Sequence, residues 1–355
     1  MLRLTVVAVA VAAAVVPLPA AVIERYYSSG FYPVWQSWMT PASNAVPVAL
    51  LDVLIVVVAA AWLILAVNDV RRWRERGLGR AAGRVVARTA VWVAVVYIVF
   101  LASWGLNYRR VRLANRLEFD AARVSETGLR TLASTAVARL NELHPAAHRQ
   151  GWPAELEVDT AVASGFAAAQ RDLGATRVAV PARPKHTLLN LYFRRAVVDG
   201  MTDPMFLETL VVSDLLPFER PIVTAHEWAH LAGYNDEGEA NFVGWLSCMR
   251  GDEPRQYSAW IFLFSEAVSQ LPRGDRQQLA QRLDAGPRED LRAIADRVAR
   301  NRSARVAQVG WQVYNQYLQA NRVESGTASY GEVIRLILGT RFNPTNPESR
   351  APNPL

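Results

Sequence analysis

The chain has a single cysteine, Cys248, in 355 residues. This excludes an intrachain disulfide and any zinc cluster built on thiolates. Cys248 itself reads as a small core residue rather than a reactive thiol. Lysine is almost missing. Lys185 is the only one, so arginine carries nearly all of the cationic side of a +7 formal charge. That bias reads as codon composition as much as functional choice, and the positive charge suits anionic lipid headgroups. No nucleic-acid-binding motif accompanies it, so a nucleic-acid partner is not expected. Internal repeats and long low-complexity linkers are also lacking.

Apolar residues are abundant, at 51% of the chain, and much of that lies in the first 106 residues. Three stretches there, about Leu4–Ile23, Val46–Val67 and Thr89–Leu106, are each near the ~20 apolar residues that cross a bilayer. The first contains Pro17 and Pro19 and reads either as a signal peptide or as a retained anchor. The weak cleavage site Leu18-Pro19-Ala20 favours the anchor. Trp38, Trp62, Trp92 and Trp104 fall at or near segment ends, as interfacial aromatics do. The connection from Asn68 to Arg88 carries Arg71, Arg72, Arg74, Arg76, Arg80, Arg84 and Arg88, whereas that from Glu24 to Ala45 carries only Arg25. The positive-inside rule therefore places the arginine-rich connection in the cytoplasm and everything after Tyr108 outside it. Arg109, Arg110, Arg112 and Arg116 oppose this orientation but are fewer. The expected organisation is a three-helix membrane anchor over residues 1–106, an extracytoplasmic domain over 107–342 and a disordered tail over 343–355.

Beyond the anchor, Arg116–Leu143 and Thr160–Leu173 have helical spacing of alanine, leucine and valine. Between Ala175 and Phe193 the texture becomes short and β-prone, broken by Pro181 and Pro184. Leu188–Phe193 and Leu207–Leu215 are the candidate strands, and the pattern from Pro221 almost to Leu338 is helical again. The fold expected is α+β, mostly helical.

His226-Glu227-Trp228-Ala229-His230 carries the chemistry. Residues four apart share one helix face, so both imidazoles can reach a single metal ion. Glu227 lies roughly 100° around the helix from His226. It misses the metal and can hold a water beside it as general base. A catalytic zinc needs a third protein ligand. Gly233 can end the helix in a left-handed turn, and Asn235 and Asp236 can start another. Three acids then compete. Asp236 and Glu239 have capping-box spacing, which gives both a structural task and leaves Glu237 free. The order of preference is Glu237, then Glu239, then Asp236. Asn241, four residues beyond Glu237, can steady a ligating histidine from behind. Tyr234, Tyr257 and His186 are candidate donors to a developing oxyanion. His144 and His148 are also four apart, but Pro145 lies between them and no glutamate follows His144, so they read as surface histidines.

Glu237-Gly238-Glu239-Ala240-Asn241 resembles the E-x-x-A-D element of gluzincin membrane proteases such as the CAAX prenyl protease group, in which the first glutamate binds zinc. Asparagine stands here in place of aspartate, and the gap from His230 is short. The wider chain resembles more closely an uncharacterised bacterial membrane family, a domain of unknown function with an H-E-x-x-H motif. The similar blocks are Tyr26-Tyr27-Ser28-Ser29-Gly30-Phe31-Tyr32-Pro33, Trp104-Gly105-Leu106-Asn107-Tyr108-Arg109, Pro221–Cys248, Tyr317-Leu318-Gln319-Ala320-Asn321 and Ser329-Tyr330. The resemblance implies a zincin-like metallopeptidase fold and brings no substrate. The expected activity is zinc-dependent hydrolysis of a peptide or protein substrate, by a chain that crosses a bacterial cytoplasmic membrane several times. Leu207–Leu215 is placed to serve as the edge strand on which an extended peptide pairs, or as an ordinary strand of the sheet. The alternatives are a non-catalytic zincin-fold sensor or scaffold, and a hydrolase of cell-envelope material. Oligomeric state is not legible.

Overall fold

The computed structural model describes residues 2–71, 77–323 and 331–345. Arg72, Arg74 and Arg76 of the basic connection, Ser329-Tyr330 and the tail beyond residue 345 lie outside these. Helices dominate, with one small sheet.

Among the described residues, two helices are long and apolar enough to cross a membrane: α3, Leu50–Arg71, and the Gly79–Ser103 portion of α4, Leu78–Ser103. The first expected segment is not one straight helix. Helix α1 covers Leu2–Val15, and the chain then turns by 110° into a second helical run, α2, Ala20–Asn44. Pro17 and Pro19 account for the break. Each removes an amide donor and fixes φ, and Pro19 sits extended (φ −60°, ψ 133°) at the start of the new helix. If the bent pair counts as one span, there are three. Within α2, Ile23–Phe31 is π-helical.

The remaining helices are α5 Glu126–Gln150, α6 Thr160–Asp172, α7 Asn190–Ala196, α8 Arg220–Leu231, α9 Glu237–Met249, α10 Glu253–Ser269, α11 Arg273–Gln281, α12 Ala285–Asn301, α13 Ala304–Ala320 and α14 Glu332–Gly339. Ser125 caps α5 and Asp159 caps α6 through their side chains. Helix α9 is the hub. Almost all of it is buried, against α8, α6, α10 and α14. Trp228, Trp245, Trp260, Phe166 and Phe242 fill the space between these helices. The same core extends without a gap to Ile23, Tyr27 and Tyr32 of α2 and to Phe100, Leu101 and Trp104 at the end of α4. One hydrophobic core therefore crosses the boundary at residues 106 and 107.

The sheet has the order β1-β3-β2. Strand β1, Pro184–Lys185, runs parallel to β3, Glu208–Val211, and β2, Gly200–Asp203, runs antiparallel to β3. Two expectations are corrected. Leu207–Leu215 does contain a strand, but it is the central one with both edges occupied, so it cannot be the free edge. The terminal strand packed on α8 is β2. Leu188–Phe193 is not a strand, since helix α7 begins at Asn190. Asp52, in the first turn of α3, accepts from Thr187 Oγ1 at 2.6 Å and Leu188 N at 2.8 Å. That contact fixes the turn into α7. Phe193 and Ala196, one turn apart, are its buried residues.

Lys185 on β1 is buried and forms an ion pair with Glu208 Oε1 at 2.5 Å. Glu208 Oε2 in turn accepts from Leu50 N and Leu51 N at 2.8 and 3.2 Å. These are amides of the first turn of α3, which have no partner inside the helix. One buried ion pair thus ties the sheet to a membrane helix.

Candidate metal centre

His226 and His230 lie one turn apart on α8, with ring centroids 4.7 Å apart and planes at 85°. The helix stops where Gly233 adopts φ +81°. Tyr234 N then bonds back to Ala229 O at 3.1 Å and Gly233 N to His230 O at 3.0 Å, a left-handed helix stop. Two residues later Asp236 caps α9, accepting from Gly238 N and Glu239 N at 3.0 and 3.2 Å. Glu237 is therefore the first residue of α9 and faces the histidines. The two helices approach closely at Gly244, where a Cβ would lie 2.8 Å from His226 N.

Glu237 Oε2 is 3.3 Å from His226 Nε2 and 3.6 Å from His230 Nε2. It is buried and accepts no hydrogen bond. The other oxygen, Oε1, accepts the phenol of Tyr314 from α13. A tetrahedral zinc with bonds of ~2.0–2.1 Å has its donor atoms ~3.3 Å apart, so this donor set fits that ion. His230 Nδ1 faces Tyr234 O at 2.8 Å. The carbonyl keeps the proton on Nδ1 and leaves Nε2 to ligate. His226 Nδ1 is buried without a partner.

The carboxylate and the two imidazoles perturb one another strongly. Burial alone would lower His230, but the Glu237 carboxylate reverses the sign and raises it to about 9. Burial would raise Glu237, but the two imidazoles hold it well below the carboxylate range. Burial raises Glu227, with the imidazoles and the Thr202 hydroxyl opposing in part. Glu227 Oε2 accepts from Thr202 Oγ1 at 2.9 Å, and the same hydroxyl lies 2.8 Å from Glu227 O. A Cβ on Gly200 would meet Glu227 Oε1 at 2.7 Å. Strand β2 therefore shapes the surroundings of this carboxylate.

The other predicted residues divide. Glu239 is buried but accepts from Leu113 N at 2.6 Å. Burial and the neighbouring Asp236 push it up to about 7. Asp236 also pairs with Arg112. The expected capping box is thus half made: Asp236 caps, while Glu239 turns to Leu113. Asn241 is buried, and its Nδ2 has no hydrogen-bond partner. Tyr234 contributes its carbonyl to His230, and its ring lies under the Arg110 guanidinium at 4.9 Å. His186 bonds Glu155 Oε1 at 2.8 Å. Tyr257 donates to Asp290 Oδ2 at 2.5 Å.

That last bond belongs to a second group. His144 and His148 come together with Asp290, their Nε2 atoms 3.6 and 2.8 Å from Asp290 Oδ2. Here the oxygen already has Tyr257 and His148 as partners, and the rings are partly exposed. The group is complete as a hydrogen-bonded cluster, in contrast to Glu237. Sequence reasoning missed Tyr314 and Thr202. Tyr314 is one turn before Tyr317 on α13, but no local pattern aims it at α9.

The chain belongs to the family described as protein of unknown function (DUF3810), whose model matches residues 27–338. No curated protein and no solved structure matches the chain.

Proposed function

We propose that this chain is a membrane-anchored, zinc-dependent peptidase with a zincin-like site on the extracytoplasmic side of a bacterial cytoplasmic membrane. One observation carries the reading. A buried carboxylate oxygen without a hydrogen-bond donor sits 3.3 and 3.6 Å from two imidazole nitrogens. A buried carboxylate is costly unless a cation completes it, and a metal ion between the three would do so in place of a proton on an imidazole. His226, His230 and Glu237 are the ligands. Zinc held there would supply Lewis acidity and would bring the pKa of a water toward ~7.

The protein's own groups do the rest. Glu227 accepts the proton of the attacking water and returns it to the leaving nitrogen. Its raised pKa suits that exchange near neutral pH. The Thr202 hydroxyl fixes which oxygen of Glu227 is free to turn toward the water. Tyr314 occupies Glu237 Oε1 and so leaves Oε2 for the metal. Strand β2 ends the sheet beside α8, and its outer edge offers backbone pairing to an extended substrate.

The sidedness proposed rests on the arginines. Arg71 ends α3, Arg80 and Arg84 lie in the first turns of α4, and Arg88 further along α4 pairs with Asp69 at 2.7 Å. Those at the cluster end that oppose the orientation are fewer, and three of them are tied into the fold by ion pairs. Arg110 pairs with Glu24 at 2.8 Å, Arg116 with Glu24 at 3.5 Å, and Arg112 with Asp236.

The test is zinc content and peptide-library cleavage for wild type, His226→Ala and Glu227→Gln. The expected result is stoichiometric zinc in wild type and Glu227→Gln, loss of zinc in His226→Ala, and cleavage by wild type alone. Equal cleavage by wild type and Glu227→Gln would refute the mechanism. Wild type without zinc would favour a non-catalytic scaffold.

A further inference from the structure

Helix α2 is inverted for a helix in water. Past its π-helical turn the buried positions are Tyr32, Gln36, Thr40 and Ser43. Their polar atoms are bonded to the folded unit. Gln36 donates to Val180 O at 2.7 Å and accepts from Val180 N at 2.9 Å, and Thr40 donates to Leu207 O at 3.1 Å. Every exposed position from Phe31 to Ala45 is apolar: Phe31, Val34, Trp38, Pro41, Ala42 and Ala45. Most steps are of three or four residues, so these side chains form one stripe. Trp38 is 75% exposed and Phe31 52%. A contiguous apolar stripe of this kind marks a surface that something covers.

The placement of α2 identifies the cover. One end joins α1 at 110°, and the other leads through Ala45–Ala49 into α3. Between those ends α2 crosses the end of α4, where Tyr27 OH donates to Ala102 O at 3.0 Å. A helix that leads into one membrane helix, α3, and runs across the end of another, α4, lies in the plane of the bilayer surface. Helix α7 is held at the same level by the bonds from Thr187 and Leu188 to Asp52 of α3. There Leu188 is 76% exposed and Leu191 58%.

We propose that the apolar stripe of α2, together with Leu188 and Leu191, is inserted into the lipid leaflet on the side of the metal cluster. The bilayer is the partner that covers it. Insertion holds whether or not the cluster is catalytic. It also fixes the height of the cluster. Tyr32 OH donates to Leu231 O and Trp104 Nε1 to His230 O, both at 2.9 Å. The metal-bearing helix thus ends directly on the interfacial helix. Packed helices lie ~8–10 Å apart, so His230 sits about one helix diameter above the lipid rather than on a stalk.

Cys248, the chain's one cysteine, is fully buried, so an introduced thiol can be labelled selectively. Spin labels at V34C, W38C and A42C, in the full chain in lipid nanodiscs, report collisions with oxygen and with a water-soluble nickel chelate. A label at Q277C on the exposed part of α11 is the aqueous reference. The expected result is an oxygen-to-nickel collision ratio several-fold above the reference at all three stripe positions. Nickel collisions equal to the reference would place the stripe in water and overturn the proposal. Shielding from both reagents would place protein over it, such as a second copy of the chain, and would overturn it equally. Three positions read one stripe, so a single labelled chain that misfolds leaves the answer intact.

Discussion

Adding one methyl group at Gly200 tests whether Glu227 acts through its position. A Cβ there would lie 2.7 Å from Glu227 Oε1, 2.9 Å from Cγ and 3.1 Å from Cδ. Ordinary contact begins near 3.4 Å, so the carboxylate must retreat by about 0.7 Å. It cannot do so freely, because Thr202 holds the other oxygen and the residue is buried. A misplacement of about 1 Å at a reacting group costs ~100-fold. Gly200→Ala should therefore lower kcat/KM by ~10–100-fold, or about 1.4–2.7 kcal/mol of transition-state stabilisation. His226, His230 and Glu237 are not touched, so zinc content should match wild type. Gly274→Ala is the control, because nothing lies within 4 Å of a Cβ at that position. Peptide cleavage in nanodiscs, with zinc measured on the same samples, gives the comparison. A Gly200→Ala chain that cleaves like wild type would mean that the location of this carboxylate does not matter, and the argument from Glu227 would fail.

Tyr314→Phe removes the donor to Glu237 Oε1 and should weaken zinc binding by ~10–100-fold, as measured by chelator competition. Unchanged affinity would show that the phenol does not orient the ligand. Lys185→Met leaves Glu208 charged and buried, and should cost about 3–5 kcal/mol of stability. Lys185→Met with Glu208→Gln should recover part of that in thermal melts, and a single variant as stable as wild type would refute the role of the pair. Asp203 is raised by burial from 3.8 to about 6, so the folded state holds its proton more tightly than the unfolded state. Its stabilising contribution is complete below pH 3.8 and is lost as pH rises through 6, about 3 kcal/mol in total. Asp203→Asn should therefore remove a fall in melting temperature between pH 4 and pH 6, and identical wild-type and variant slopes would contradict this.

The helix that carries His226 and His230, its stop at Gly233, the restart at Asp236 and the position of Glu237 at the start of the next helix were all legible in the sequence. Each depends on local rules of helix period and capping, and the residues involved lie within a dozen positions. What was not legible depends on distant partners. The β-prone run at Leu188 became helical because Asp52, far back in the chain, holds its first amide. Strand order cannot be read along the chain, so for Leu207–Leu215 an edge role and an ordinary place in the sheet stood side by side, and the structure gives the second. The prolines in the first apolar segment were visible, but the direction of the chain after them was not. Tyr314 reaches Glu237 across 77 residues, and no local periodicity carries that information.

The indole of Trp104 grips the backbone of His230 from the last turn of a membrane helix. Helices that cross a bilayer tilt to match its thickness, and tilting displaces the ends of a helix more than its middle. A change in acyl-chain length should therefore reach His230 as a lateral pull, with no loop in between to absorb it.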